Sequence, residues 1–110
     1  MPATEISEVD VTGVPEGAYV LDVRESYEFE AGHVAGAQHI PVSQVVARAA
    51  EVPAGDVYVI CRVGGRSAFA AALLARHGKQ VTNVLGGMAA WAGAGRPMVS
   101  ETGQEPYVAG

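Results

Sequence analysis

The chain has 110 residues, 49% of them hydrophobic, and a formal net charge of −5. That is one domain with enough apolar side chains for a single core, and not the composition of a disordered chain. Seven Lys and Arg in an acidic protein argue against nucleic-acid binding, no apolar run approaches the ~20 residues of a membrane span, and one cysteine closes no internal disulfide.

The start, Met1-Pro2-Ala3-Thr4-Glu5, lacks the basic and apolar regions of a secretory signal. Together with the lone cysteine this predicts a reducing, cytoplasmic setting. Residues 1–7 read as a flexible N-terminus. Glu8 to Val11 reads as a short edge strand, and Gly13 to Gly17, with Pro15, as a turn. Ala18 to Val23 is strongly apolar and predicts a central strand, with Asp22 and Arg24 at its end. Glu25 to Glu30 alternates acids with Tyr27 and Phe29, the pattern of a helical turn, and Glu28 and Glu30 read as a solvated face. Gln38-His39-Ile40 is a short strand closed by Pro41. Ser43 is an N-cap candidate for a helix reaching about Glu51, with Val45, Val46 and Ala49 on its core side.

Pro53 to Asp56 is a turn, and the β-branched and aromatic run Val57-Tyr58-Val59-Ile60 predicts a buried strand. The Ala- and Leu-rich run after it predicts a helix from about Ser67 to the His77-Gly78 stop, with Phe69, Leu73 and Leu74 as its apolar side. Val81 to Leu85 is a further strand, and Gly86-Gly87 opens a short helix holding Met88 and Trp91 that stops between Gly93 and Pro97. The polar segment after it, residues 99–110, reads as a dispensable tail. Strands alternating with helices predict an α/β domain with a parallel sheet covered on both faces. In such sheets ligands bind beyond the carboxyl ends of the strands.

The stretch Cys61-Arg62-Val63-Gly64-Gly65-Arg66-Ser67 stands at such a place, between a predicted strand and a predicted helix. Gly64 and Gly65 permit positive φ and close approach of backbone to a bound atom. Consecutive backbone N–H groups around such a turn form an anion-binding nest, and the helix start adds free N–H groups and a positive dipole end. Arg62 and Arg66 are two of only seven basic residues in the chain. A thiol in that field ionises easily, and its thiolate is a nucleophile that needs no separate base. The alternative for a lone cysteine is a small buried hydrophobe. The strand-end position, the glycines and the arginines favour the reactive reading.

Cys61-Arg62-Val63-Gly64-Gly65-Arg66 resembles the Cys-x-x-Gly-x-Arg active-site loop of single-domain rhodaneses. Leu21-Asp22-Val23-Arg24-Glu25 with Gly32-His33-Val34-Ala35-Gly36-Ala37-Gln38-His39-Ile40-Pro41 resembles the family's N-terminal motif. Val84-Leu85-Gly86-Gly87-Met88-Ala89-Ala90-Trp91 resembles its C-terminal one. The three motifs stand in order between about residues 6 and 98, which makes 8–98 the candidate rhodanese-like domain. The resemblance implies a five-stranded, mainly parallel sheet flanked by helices. It also implies a sulfurtransferase in which Cys61 carries sulfur as a persulfide from a small anionic donor such as thiosulfate to cyanide or a thiol. Residues 62–67 would hold the substrate and persulfide. A protein that accepts the sulfur is a compatible partner.

Asp22 and Arg24 are candidates for orienting substrate or, as the resemblance favours, for a structural ion pair. His33 and His39 are candidate acid–base groups, although the matching histidine of the family mainly braces a loop. Met88 and Trp91 are candidates for pocket lining or for core packing. Gly86-Gly87 reads as a turn beside the active loop rather than a phosphate cradle. One cysteine and three scattered histidines give no metal-ligand spacing, and no cofactor is expected. Two rival functions remain. One is a phosphatase or arsenate reductase on the same scaffold. The protein-phosphatase signature has a longer gap between Cys and Arg than the four residues here, and the tighter ring suits one sulfur better than a tetrahedral oxyanion. The other is a non-catalytic or sulfur-relay rhodanese module, a class that often lacks the cysteine retained here.

Overall fold

The computed structural model describes residues 6–110. Its elements are β1 (Ser7–Asp10), β2 (Tyr19–Asp22), α1 (Ser26–Ala31), β3 (Gln38–His39), β4 (Asp56–Ile60), α2 (Gly65–Arg76), β5 (Gln80–Leu85) and α3 (Gly87–Gly93). The five strands form one sheet in the order β1-β5-β4-β2-β3, with every pairing parallel. The expected strands are present within a residue or two. The N-terminal end begins its strand at Ser7, and the rest of the expected loose end, residues 1–5, lies outside the described residues.

Because strand side chains alternate between faces, a parallel sheet covered on both sides requires apolar residues at successive positions. β4 and its neighbours meet that requirement. Leu21, Val57, Val59 and Cys61 turn to one face, where Ala70, Ala71 and Leu74 of α2 cover them. Val20, Ile60 and Val84 turn to the other, against Met88 and Trp91 of α3 and Val11 and Val14. Cys61 is thereby placed where β4 leaves the sheet, under the start of α2.

The buried residues of α2 are Ser67, Ala70, Ala71 and Leu74, a helical stripe with small residues at its middle. Those alanines bring the helix close to the sheet. Phe69 falls off the stripe and is 61% exposed, so it does not serve the apolar side as expected. The helix expected from Ser43 to Glu51 is also absent. Two 3-10 turns, Val42–Gln44 and Ala49–Glu51, stand in its place, with Pro41 rather than Ser43 preceding the first. Adjacent β-branched Val45 and Val46 disfavour a continuous helix. Val45 is buried and Val46 exposed.

The segment 99–110 is tied to the domain at both of its ends. Val99 and His33 exchange backbone hydrogen bonds at 2.9 and 2.8 Å, the Glu101 N–H donates to Glu30 O and the Tyr107 N–H to Ala31 O. These satisfy carbonyls that the end of α1 leaves open. Val108 packs on the α3-side core, and Ala109 is buried. Polar side chains hid this attachment, because the backbone makes it.

Candidate active site

The loop from Cys61 to Gly64 is shaped from both ends. Gly64 has φ +113°, a left-handed conformation that lets the chain turn from β4 into α2. On the outer side, α3 presses its own first turn against the loop. The Met88 N–H donates to Cys61 O at 2.8 Å and the Ala89 N–H to Arg62 O at 2.9 Å. A Cβ on Gly87, which has φ +56°, would run into both of those carbonyl oxygens. Gly86-Gly87 is therefore the close-approach turn beside the active loop. It takes up the loop carbonyls and leaves loop N–H groups directed at the sulfur.

Cys61 Sγ accepts from the Gly64 N–H at 3.1 Å and has Ser67 Oγ at 3.2 Å. Burial pushes the thiol up, but the Ser67 hydroxyl and the backbone N–H groups of Ser67, Gly64 and Val63 favour the thiolate, and the balance holds Cys61 below the ordinary thiol value. The sequence reading shared that effect among the loop N–H groups, the helix start and the two arginines. In the structure, hydrogen bonds to sulfur carry it.

The two arginines differ. Arg66 is locked to Glu28 of α1 by a bidentate pair, Nη1 to Oε1 at 2.7 Å and Nη2 to Oε2 at 2.9 Å. Glu28 is only 2% exposed, so of the expected solvated face Glu30 is exposed but Glu28 instead anchors the Cys61 loop. Its Oε1 also accepts from the Glu25 N–H at 2.9 Å. Arg66 lowers the Glu28 carboxyl below its ordinary value, since the hydrogen-bonded guanidinium stabilises the charged form. Arg62 is exposed, forms no salt bridge among the described residues, and lies against Gly110 at the end of the chain. Val63 is exposed as well.

Asp22 and Arg24 form a fully buried bidentate pair, Nε to Oδ1 at 2.9 Å and Nη2 to Oδ2 at 2.7 Å. Arg24 Nη2 also donates to Gly32 O, and His39 Nε2 donates to Arg24 O at 2.8 Å. His33 lies 2.8 Å from Val34 O through Nδ1 and 2.7 Å from Glu101 through Nε2. The Phe29 ring stacks between His33 and His39, with centroid distances of 3.8 and 4.5 Å. These groups tie the α1–β3 loop to the end of β2 and to residues 99–101, and their recorded hydrogen bonds do not involve the Cys61 loop. Met88 and Trp91 are buried in the α3-side core, where Trp91 Nε1 donates to Pro97 O and Arg96 lies over the indole at 4.2 Å. Among the described residues no group of three or more His, Cys, Asp or Glu is placed to hold a metal ion.

Sequence reasoning did not place two residues at the site. One is Glu28. The other is Asn83, whose Oδ1 lies 2.6 Å from the hydroxyl that touches sulfur. A polar residue inside an apolar strand buried on both faces was the available sign.

A parallel five-stranded sheet with a glycine-turned thiol loop at the end of its middle strand is the architecture that the resemblance to rhodanese-like domains implies. The chain matches the Rhodanese-like domain family over residues 8–94 and belongs to it. It is 44% identical over 80 residues to a putative sulfur carrier protein of Bacillus subtilis; the match covers 71% of this chain and 43% of that protein, so it spans less than half of that relative. It is 39% identical over 79 residues to a thiosulfate sulfurtransferase of Pseudomonas putida, covering 69% of this chain and 71% of the relative. The fold is similar to the crystal structure of a rhodanese-related protein from Thermoplasma volcanium. There the TM-score is 0.80 at 31% identity, covering 84% of this chain and 97% of that one. The family is one of rhodanese-like sulfurtransferases and sulfur carriers. No helix of the described residues is long and apolar enough to cross a membrane.

Proposed function

We propose that this protein is a sulfurtransferase that moves sulfane sulfur from a small anionic donor, thiosulfate in the first instance, to cyanide or a thiol. The carrying observation is the Cys61 sulfur, which faces the Gly64 N–H and the Ser67 hydroxyl at the end of β4. The thiolate attacks the outer sulfur of thiosulfate. A new S–S bond forms to Cys61, the S–S bond of the donor breaks, and sulfite leaves with the electron pair. The acceptor then attacks the outer sulfur of the persulfide, takes it away, and leaves the Cys61 thiolate. This is covalent catalysis in two half-reactions. N–H groups of the loop stabilise the persulfide anion as they do the thiolate. Exposed Arg62 draws the anionic donor. Arg66, neutralised by Glu28, mainly holds the loop.

Similarity to a putative sulfur carrier favours a second, compatible use of the same chemistry, in which the acceptor is a thiol of a partner protein. Phosphate-ester cleavage is disfavoured. The gap from Cys61 to Arg66 is short, and one face of the Arg66 guanidinium is committed to Glu28 through both terminal nitrogens. The test is the isolated half-reaction. Thiosulfate without acceptor adds one sulfur atom to the Cys61 peptide, measured by mass spectrometry, and cyanide removes it. Cys61→Ser abolishes the gain. A protein that gains no sulfur, or a Ser variant that still turns over, overturns the reading.

A further inference from the structure

The Ser67 hydroxyl has one proton and three acceptors within reach: Asn83 Oδ1 at 2.6 Å, Cys61 Sγ at 3.2 Å and Gly64 O at 3.3 Å. The Asn83 amide is oriented by what lies behind it. Its Nδ2 faces Glu8 Oε2 at 3.3 Å and Gly64 O at 3.5 Å, both acceptors. Turned the other way, Oδ1 would meet two acceptors and no donor, so the amide keeps its oxygen toward Ser67. Glu8 and Asn83 are direct register partners in β1 and β5, and the strand pairing fixes that arrangement. Ser67 and Asn83 are both buried. No bulk water competes for their hydrogen bonds.

We propose that Asn83 is a positioning residue for Cys61, acting through the single Ser67 proton. In the thiol form, Cys61 S–H donates to Ser67 Oγ, and the Ser67 hydroxyl donates to Asn83 Oδ1. When the thiol ionises, the hydroxyl turns from Asn83 to the sulfur, and Oδ1 loses its donor. Asn83 thus opposes ionisation in the resting enzyme by offering the hydroxyl a shorter, competing acceptor. The same hydroxyl is released from sulfur when the negative charge moves to the outer atom of a persulfide. The link to a persulfide rests on the sulfurtransferase reading, whereas the ionisation argument stands on geometry alone. The charged groups around the thiol are Arg62 on its loop, Arg66 of α2 with Glu28 and Glu25 of α1, the Asp22–Arg24 pair at the end of β2, and Glu8 of β1. Of these, substitution at Asn83 touches only Glu8.

The experiment is the pH dependence of Cys61 alkylation by iodoacetamide, which requires no sulfur chemistry. Asn83→Leu keeps the branched side-chain shape and removes the competing acceptor, so the midpoint falls by about half to one pH unit, the size of one hydrogen bond. Asn83→Asp keeps a stronger acceptor and adds negative charge, so the midpoint rises. In a Ser67→Ala background the Leu substitution shifts nothing, because the proton that transmits the effect is gone. Thermal melts confirm that each variant is folded, and the Asp variant provides the opposite-sign test should the Leu variant not fold. Unchanged midpoints in folded variants, or equal shifts with and without Ser67, overturn the proposal. Failure of persulfide formation with these shifts intact would instead remove the sulfurtransferase reading.

Discussion

Glu28 and Arg66 lie 38 residues apart in sequence and meet through two parallel hydrogen bonds of 2.7 and 2.9 Å. The pair joins α1 to the first turn of α2, beside the Cys61 loop. A bidentate carboxylate–guanidinium pair fixes direction as well as distance. With Glu28 nearly inaccessible to solvent, removing its charge leaves the Arg66 guanidinium without its partner in a half-buried place.

Glu28→Gln therefore destabilises the protein by about 1.5–3 kcal/mol, the range for hydrogen bonds to charged groups. The pH dependence has a definite sign. The folded protein holds Glu28 below the ordinary 4.5, so its contribution is fully present above that value and is lost as pH falls through the lowered one. Urea titrations at pH 7 and across the acid range should show wild type losing stability on acidification, with a shallower loss in the variant. Parallel curves would show that the pair contributes nothing to the linkage.

The arginines should separate in kinetics. Arg62→Ala raises KM for thiosulfate about two- to fivefold, the loss of one exposed charge contact of up to ~1 kcal/mol, with little change in melting temperature. Arg66→Ala lowers the melting temperature because Glu28 is left buried and unpaired. Equal kinetic defects in two equally stable proteins would refute this division of roles.

The tail supplies a further test. Its backbone donates to Ala31 O, Val108 packs on the core and Ala109 is buried. Truncation after Glu101 removes those contacts and should lower the melting temperature by several degrees. A truncated protein as stable as the full chain would show that these contacts contribute nothing net.

What the sequence made legible, and what it did not, follows from how local each cause is. Val57 to Ile60 declares a buried strand by composition alone, and glycines with arginines at its end mark the Cys61 loop. Glu28 could not be read this way. An acid in a short helix looks solvated until its partner 38 residues away is known. Asn83 gains its meaning only from the pairing of β5 with β1 and the packing of α2 above it. The tail attaches by backbone hydrogen bonds, which side-chain polarity does not report. The expected helix after Ser43 failed on local grounds, since two adjacent valines outweigh one N-cap residue.

Gly87→Ala tests how the loop is held open. Gly87 has φ +56°, and an added Cβ would strike the carbonyl oxygens of Cys61 and Arg62. Both atoms are backbone and cannot move aside as a flexible side chain would. Both also accept hydrogen bonds from α3, at 2.8 and 2.9 Å, so displacing them breaks the contacts that fix the loop. The left-handed conformation adds strain of order 1 kcal/mol for a residue with a Cβ. The expected loss of stability is about 2–4 kcal/mol, from strain together with a displaced, less fully bonded loop. Function should suffer more than stability. Moving Cys61 changes the angle at which the Gly64 N–H meets sulfur, and the thiolate loses part of its stabilisation. At a temperature where the variant is fully folded, alkylation of Cys61 near neutral pH should be slower than in wild type, and sulfur transfer slower still. Gly93→Ala is the control. It lies in the same helix, has open space where its Cβ would be added, and should leave both rates unchanged. If Gly87→Ala folds with wild-type stability and alkylates at the wild-type rate, the close approach of α3 does not shape the thiol loop.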